Sequence, residues 1–286
     1  MSVINLYHGP LKSISLQAFK TELTPDGVFV ITFSRPEKLN SLDGQAFAEM
    51  FFLIEYMDRE PSVKVAVWVS TGRAFCAGAA LTNLHLPNSS PILSSFKAYC
   101  DAGKALRRTP DMAYHGLIYR MLELRKVSIC CVQGMSIGGG ANFSLLMHDF
   151  VFASESGASF RYPFSEIGIC PEMGSSYLFP KQYAARYLMA GETFTARDAE
   201  RMGLVYRVVP DGEDVASAGI RHAGALVKKG CLTGMEVGKK ILNEQKMKEM
   251  DHYRICQTEN ETIDTCLKSP YTIQKLTQFS QRHSKM

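Results

Sequence analysis

The stretch QGMSIGGGANFSLL, Gln133 to Leu146, grows out of the apolar run SICCVQG, Ser128 to Gly134, and leads into a helix expected from about Gly139 to His148. A second stretch has the same grammar. STGRAFCAGAALTNL, Ser70 to Leu84, follows the β-branched run VKVAVWVS, Val63 to Ser70. Strand, glycine-rich turn and helix in succession leave backbone N–H groups without partners at a helix N-terminus, where negative charge is favoured. Neither stretch spells G-x-G-x-x-G, and neither contains Gly-Lys-Ser/Thr, so the dinucleotide and P-loop readings fail. One glycine cluster alone is ordinary close packing of strand on helix. Two such turns suggest a pair of converging N–H donors, the requirement of an oxyanion hole.

Outward from these turns, strands alternate with helices. Asp26-Gly27 is a turn signal before the alternating strand VFVITFS. Leu42 to Met57 reads as an amphipathic helix, with Phe47, Met50, Phe51, Ile54 and Met57 on one face. FVFASES and ASFRYP are two short strands. This alternation predicts an α/β arrangement with mostly parallel sheets. In TARDAERMG, Thr195 is a helix N-cap, Asp198 sits three residues on, and Gly203 is the stop. Ser89 to Leu106 has the least pattern and reads as a mobile loop and helix beside a site. After Pro210 strand signals end, and helices are expected at roughly 213–230, 232–250, 252–267 and 270–283. The organisation expected is one α/β core over 1–210 and a helical C-terminal region over 211–286.

Bulk properties narrow the class. The chain has 286 residues, 46% hydrophobic and 21% charged, which excludes a disordered or fibrous protein. A net charge of +4 is too small to argue for nucleic acid. From Arg221 onward there are 12 Lys/Arg against 7 Asp/Glu, a difference of +5. That surplus reads as a solvated helical face or, more sharply, as a surface that meets phosphates. Eight cysteines lie scattered without a C-x-x-C pair, and seven histidines lack ligand spacing. The expectation is a reducing compartment with no disulfide framework and no metal site. No run of 18 apolar residues exists, so no membrane span is expected. The first residues, MSVINLYHGPLKSISL, do not form a secretory signal. The last, HSKM, end one residue away from the S-K-L peroxisomal address, so Ser284-Lys285-Met286 are expected to meet a peroxisomal import receptor.

The two glycine stretches, with RPEKLNSL at Arg35 to Leu42 and TFTARDAERMGLVYRVVP ending at Pro210, resemble the crotonase, or enoyl-CoA hydratase/isomerase, superfamily. The motifs occur in the family's order and span about Val28 to Pro210. The resemblance implies a spiral of β-β-α turns with a helical C-terminal extension that assists assembly into a homotrimer or hexamer. It implies an acyl-CoA thioester substrate, with coenzyme A as part of that substrate and no further cofactor. The thioester oxygen would sit between the backbone N–H groups of Ala77 and Gly139. Ala77, Gly78, Ala79, Ala80 and Leu81 would line the substrate. Lys38 and basic residues of the C-terminal helices would meet the CoA phosphates.

Departures from the family pattern point to the reaction. Hydratases of this family carry a glutamate two positions after the glycine triplet, where this chain has Asn142. Their second glutamate follows the proline of the next strand, and here Phe164 follows Pro163. Adding water requires one group to activate it and another to deliver a proton. Moving a double bond requires one carboxylate that takes a proton and returns it elsewhere. PFSEIGICPEMGSSYLFPK, Pro163 to Lys181, resembles the peroxisomal type of Δ3,Δ2-enoyl-CoA isomerase, in which a glutamate after proline is the base. Glu172 matches that glutamate. Met173 stands where the pattern has glycine, while Gly174, Ser175, Ser176, Tyr177, Phe179 and Pro180 keep it. Ala80 stands where the family often has aspartate.

The resemblance therefore implies an isomerase of peroxisomes or glycosomes, acting in the oxidation of unsaturated fatty acids. Glu166 falls outside the pattern and reads as a surface residue. Asn142 is expected to face the pocket and orient water or substrate, Tyr177 to hydrogen-bond near the base, and His85 and His148 to be surface or core residues. Two alternatives remain. One is a hydratase or other crotonase reaction using another acid such as Glu166. The other is a silent acyl-CoA-binding scaffold, which has no use for a carboxylate at Glu172.

Overall fold

A computed structural model describes residues 15–80 and 112–283. The chain begins with β1 (Phe19–Leu23), β2 (Val28–Phe33), α1 (Gly44–Arg59), β3 (Val65–Ser70), β4 (Ala74–Cys76) and α2 (Met112–Glu123). It continues through β5 (Val127–Val132), β6 (Met135–Ile137), α3 (Gly139–Leu146), β7 (Phe150–Ser154) and β8 (Ser159–Arg161). Three single turns follow, α4 (Phe164–Ile167), α5 (Ser175–Leu178) and α6 (Lys181–Ala184), then β9 (Phe194–Thr195), α7 (Ala196–Arg201) and β10 (Arg207–Val209). Four helices close the chain: α8 (Val215–Lys229), α9 (Leu232–His252), α10 (Ile255–Leu267) and α11 (Pro270–His283).

The strands form two sheets, ordered β1-β2-β3-β5-β7-β10 and β4-β6-β8-β9. Pairing is parallel except for β1 with β2 and β8 with β9. Each turn of the chain lays a long strand in the first sheet and a short one in the second. The sequence β5, β6, α3 is one such turn, and β7, β8, α4 is the next. This is the expected spiral of β-β-α turns. The short strands β4 and β6 lie inside the two glycine-rich stretches, which the sequence pattern read as turns alone.

Strands covered on both faces must be apolar throughout, and all six residues of β5 are buried. One face of the large sheet holds Trp68, in edge contact with Phe143 at 5.0 Å and Phe19 at 6.0 Å. The other face, with Val67, Ile129 and Cys131, is covered by Val215, Ala218 and Ala223 of α8. Helix α8 thus forms a layer over the large sheet. Thr195 caps α7 in a capping box with Asp198, as expected.

RPEKLNSL forms a tie between the sheets. The Arg35 guanidinium donates to both carboxylate oxygens of Asp43 (2.7 and 2.9 Å), and Asp43 caps α1 by accepting from the Ala46 N–H. The Asn40 side chain is buried. Its amide donates to Thr71 O (2.9 Å) and Ala74 O (3.0 Å), and its oxygen accepts from the Arg35 N–H (2.9 Å). Asn40 lies at φ 52°, in the left-handed region that asparagine tolerates better than most residues. Asn40→Ala removes three hydrogen bonds at about 1 kcal/mol each. The unfolding free energy from urea titration should fall by about 3 kcal/mol; a change below about 1 kcal/mol would show that this side chain does not hold the turn.

Candidate active site

The two glycine turns meet at the C-terminal ends of β4 and β6. A Cβ on Gly140 would stand 2.4 Å from Cys76 O, and one on Gly78 would stand 2.6 Å from Ile137 O. Only glycine permits this approach. Gly78 also lies at φ +82°, which bends the chain at the end of β4. Before the bend, the Ala77 N–H donates to Leu39 O at 3.0 Å. After it, Gly78 O accepts from the Leu42 N–H (2.8 Å) and the Ala80 N–H donates to Leu42 O (2.9 Å). In such a ladder alternate N–H groups face opposite edges, so the Ala79 N–H points away from Leu42.

This corrects the expected donor pair. The Ala77 N–H is already used by Leu39 O, and the N–H that the bend leaves pointing away from Leu42 belongs to Ala79. Gly139 is the first residue of α3, where N–H groups have no acceptor within the helix. The Gly78 Cβ position lies 3.5 Å from Gly139 N, so the turns carrying the two donors are in contact.

Glu172 lies against the Gly139 turn. Its Oε1 lies 3.6 Å from the Gly139 Cβ position, and the residue is half-buried. Its backbone is held tightly. Glu172 O accepts from Asn142 Nδ2 (2.9 Å), Ser175 N (3.0 Å) and Ser175 Oγ (2.7 Å). The next two residues, Met173 and Gly174, lie at φ 54° and 76°. A left-handed non-glycine residue costs roughly 1–2 kcal/mol. Met173 stands in that position where the isomerase pattern has glycine. It is fully buried, with Sδ 3.2 Å from the Gly139 Cβ position. The thioether thus packs over the Gly139 turn that Glu172 also faces.

A sequence model of the enoyl-CoA hydratase/isomerase family matches residues 24–264. The chain belongs to that family, the crotonases. It is 30% identical over 202 residues to a 1,2-epoxyphenylacetyl-CoA isomerase of Escherichia coli K12, a match covering 68% of this chain and 72% of that protein. It is 30% identical over 192 residues to mouse peroxisomal enoyl-CoA delta isomerase 3, covering 65% of this chain and 55% of the relative. Among solved structures, an enoyl-CoA hydratase from Mycobacterium avium subsp. paratuberculosis K-10 superposes with a TM-score of 0.75 at 26% identity. That match covers 92% of this chain and 99% of the other, so the two-sheet spiral is the crotonase fold.

Within this crotonase the remaining candidates separate clearly. Asn142 does not face a pocket. It is fully buried, and its amide holds the Glu172 carbonyl, so it orients the acid and not a ligand. Phe164, at the second hydratase position, is buried beside Tyr162. Glu166 is exposed and paired with Arg161. Lys38 is exposed on a turn of 3-10 helix, Pro36–Lys38, next to the Leu39 carbonyl that fixes Ala77. The Tyr177 hydroxyl donates to Glu249 of α9. His148 is partly buried against Phe143. Its Nδ1 is 2.7 Å from Ser128 Oγ, and burial, aided by Lys239, pushes its pKa down to about 3. Leu81, His85, Ser89 to Leu106 and Ser284-Lys285-Met286 lie outside the described residues.

Three C-terminal helices reach the segment carrying Glu172. Besides the Glu249–Tyr177 contact from α9, α11 supplies Thr272, whose Oγ1 donates to Gly168 O at 2.7 Å. From α10, Glu259 accepts from the N–H groups of Gly174 (2.8 Å) and Ser176 (3.0 Å). Sequence reasoning missed Glu259, because a helix bearing charges every few residues looks like a solvated face.

Asn142→Asp tests the anchoring of Glu172. The new side chain keeps the shape but, when ionised, turns an oxygen toward the Glu172 carbonyl. Burial raises the pKa of the introduced carboxyl above about 4 in the folded state, so the folded protein binds more protons than the unfolded one. Stability is therefore lost as pH rises above about 4, because the ionised carboxylate is buried and unpaired; the loss at pH 7 should exceed about 3 kcal/mol. Equal melting temperatures for variant and parent from pH 4 to 8 would contradict the anchoring.

Proposed function

We propose that the protein is a Δ3,Δ2-enoyl-CoA isomerase, moving the double bond of a 3-enoyl-CoA to give the 2-trans-enoyl-CoA. The observation that carries this reading is the Glu172 carboxylate facing the Gly139 turn, with both hydratase positions occupied by buried residues that are not acids. The thioester oxygen is taken to lie between the Ala79 and Gly139 N–H groups, with Ala77 to Leu81 lining the acyl chain. Glu172 removes a proton from C2. The electrons pass to the thioester oxygen, giving a dienolate whose charge the two N–H groups stabilise. Collapse of the dienolate forms the C2–C3 double bond, and Glu172 returns the proton to C4. The step is redox-neutral, and one carboxylate both accepts and delivers the proton.

Supporting assignments follow from the same reading. Coenzyme A is part of the substrate, and its phosphates meet Lys38 and basic side chains of the C-terminal helices. Residues 1–210 hold the acyl-CoA site, while 211–286 cover it and mediate assembly into a homotrimer or hexamer. Exposed Ile241 and Leu242 on α9 support an assembly surface there. A peroxisome or related organelle is the proposed location, supported by the peroxisomal mouse relative. Among the described residues no helix is long and apolar enough to cross a membrane.

Two experiments test this reading. Glu172→Gln keeps the size of the side chain but cannot accept a proton. Turnover of 3-hexenoyl-CoA should fall by about 10³-fold or more with saturated acyl-CoA still bound, whereas Glu166→Gln should stay within about threefold. A dead Glu166→Gln beside an active Glu172→Gln would reverse the assignment of the acids. Replacing a single backbone N–H by an ester oxygen tests the donors. At Ala79 this should lower kcat by about 10²–10³-fold with little effect on stability. At Ala77 it should cost about 1 kcal/mol of stability and leave kcat nearly unchanged. The opposite pattern would restore Ala77 as the donor.

A further inference from the structure

The loop bearing Glu172 is strained, and strained backbone persists only when its surroundings over-determine it. On one side, Asn142 and Ser175 fix the Glu172 carbonyl. On the other side stands one side chain from a distant part of the chain. Glu259 Oε2 accepts from the Gly174 N–H at 2.8 Å, and Oε1 accepts from the Ser176 N–H at 3.0 Å and the Ser176 hydroxyl at 2.6 Å. Glu259 is 4% exposed. Its contacts lie two and four residues beyond Glu172, immediately across the left-handed pair Met173 and Gly174.

We infer that Glu259 is a positioning residue for isomerisation: its buried carboxylate, delivered by α10, fixes the Gly174–Ser176 backbone and so aims Glu172 at the substrate carbon. This rests on the reading of Glu172 as the base. The residue type fits the task. A carboxylate presents two oxygens and no donor, so it accepts from all three groups at once. An amide of the same shape turns one end into a donor facing an N–H or hydroxyl. Burial opposes ionisation and raises the Glu259 carboxyl, while the Ser176 and Gly174 donors pull it back. The sequence therefore retains a group that is expensive to bury, at the one place where three donors of the catalytic loop converge. A displacement of about 1 Å at a reacting group costs about 10²-fold in rate, so an anchor two residues from the base acts on the chemical step and not only on stability.

The test separates aiming from folding. Glu259→Gln and Ser176→Ala are compared with the parent, with kcat normalised to the number of sites that bind a saturated acyl-CoA. Glu259→Gln should lose about 10–100-fold in kcat, and Ser176→Ala about 3–10-fold, with KM within about threefold for both. The primary isotope effect with C2-deuterated 3-hexenoyl-CoA should rise in each, because a misaimed base slows proton removal. A purely structural role would lower melting temperature and the number of binding sites but leave kcat per site and the isotope effect unchanged, and that result overturns the inference. If Glu259→Gln does not fold, Ser176→Ala decides alone. Glu172→Gln serves as the control. If it is inactive while the other two match the parent, only the positioning role fails. If it turns over normally, the reading of the base fails first.

Discussion

The contact between Cys76 O and the backbone of Gly140 sets the geometry of the site. With a Cβ position only 2.4 Å from that oxygen, no other residue fits there without moving a strand. The approach brings the end of β4 against the start of α3, and with it two peptide N–H groups that have no acceptor in their own elements. Donors held by backbone in a partly dry setting need no reorganisation when charge develops on a substrate oxygen. A helix N-terminus adds favourable potential at the same point. The rest of the spiral supports this meeting: Asn40 ties the outer turn to β4, Arg35 braces that turn through Asp43, and the aromatic cluster around Trp68 fixes the sheet beneath.

Against that rigid half, the acid is presented by a loop with its own energetic cost. Met173 in the left-handed region costs roughly 1–2 kcal/mol, and six hydrogen bonds to Glu172 O, Gly174 and Ser176 offset it. They come from two directions, α3 and α10, with Ser175 closing the turn. The C-terminal helices are therefore part of the site's construction within a single chain. The same economy explains Asn142. Where a hydratase-like chain would carry an acid, this one has a neutral donor that holds the remaining acid in place.

Much of the fold was legible because its signals are local. Apolar and β-branched runs marked β2, β3 and β5, and the four helices expected after Pro210 lie within about three residues of their observed limits. The short strands β4 and β6 escaped because their glycines signal turns. Ala77 was misread for a related reason: its N–H is taken by Leu39 O, and the bend at Gly78, φ +82°, decides which N–H points away from that neighbouring segment, which no composition reveals. Glu172 and Glu166 were separable by motif, and the structure places one at the glycine turn and the other in an exposed ion pair. Asn142 and Glu259 were not readable, since their partners lie 30 and 83–85 residues away.

The central claim is that two backbone donors and one carboxylate converge on a single thioester. A crystal structure with a bound saturated acyl-CoA measures this directly. The account predicts the thioester oxygen about 2.7–3.1 Å from both Ala79 N and Gly139 N, with the Glu172 carboxylate turned toward C2. A thioester oxygen placed away from both N–H groups, or a Glu172 carboxylate turned from C2 while another acid faces it, would contradict the account.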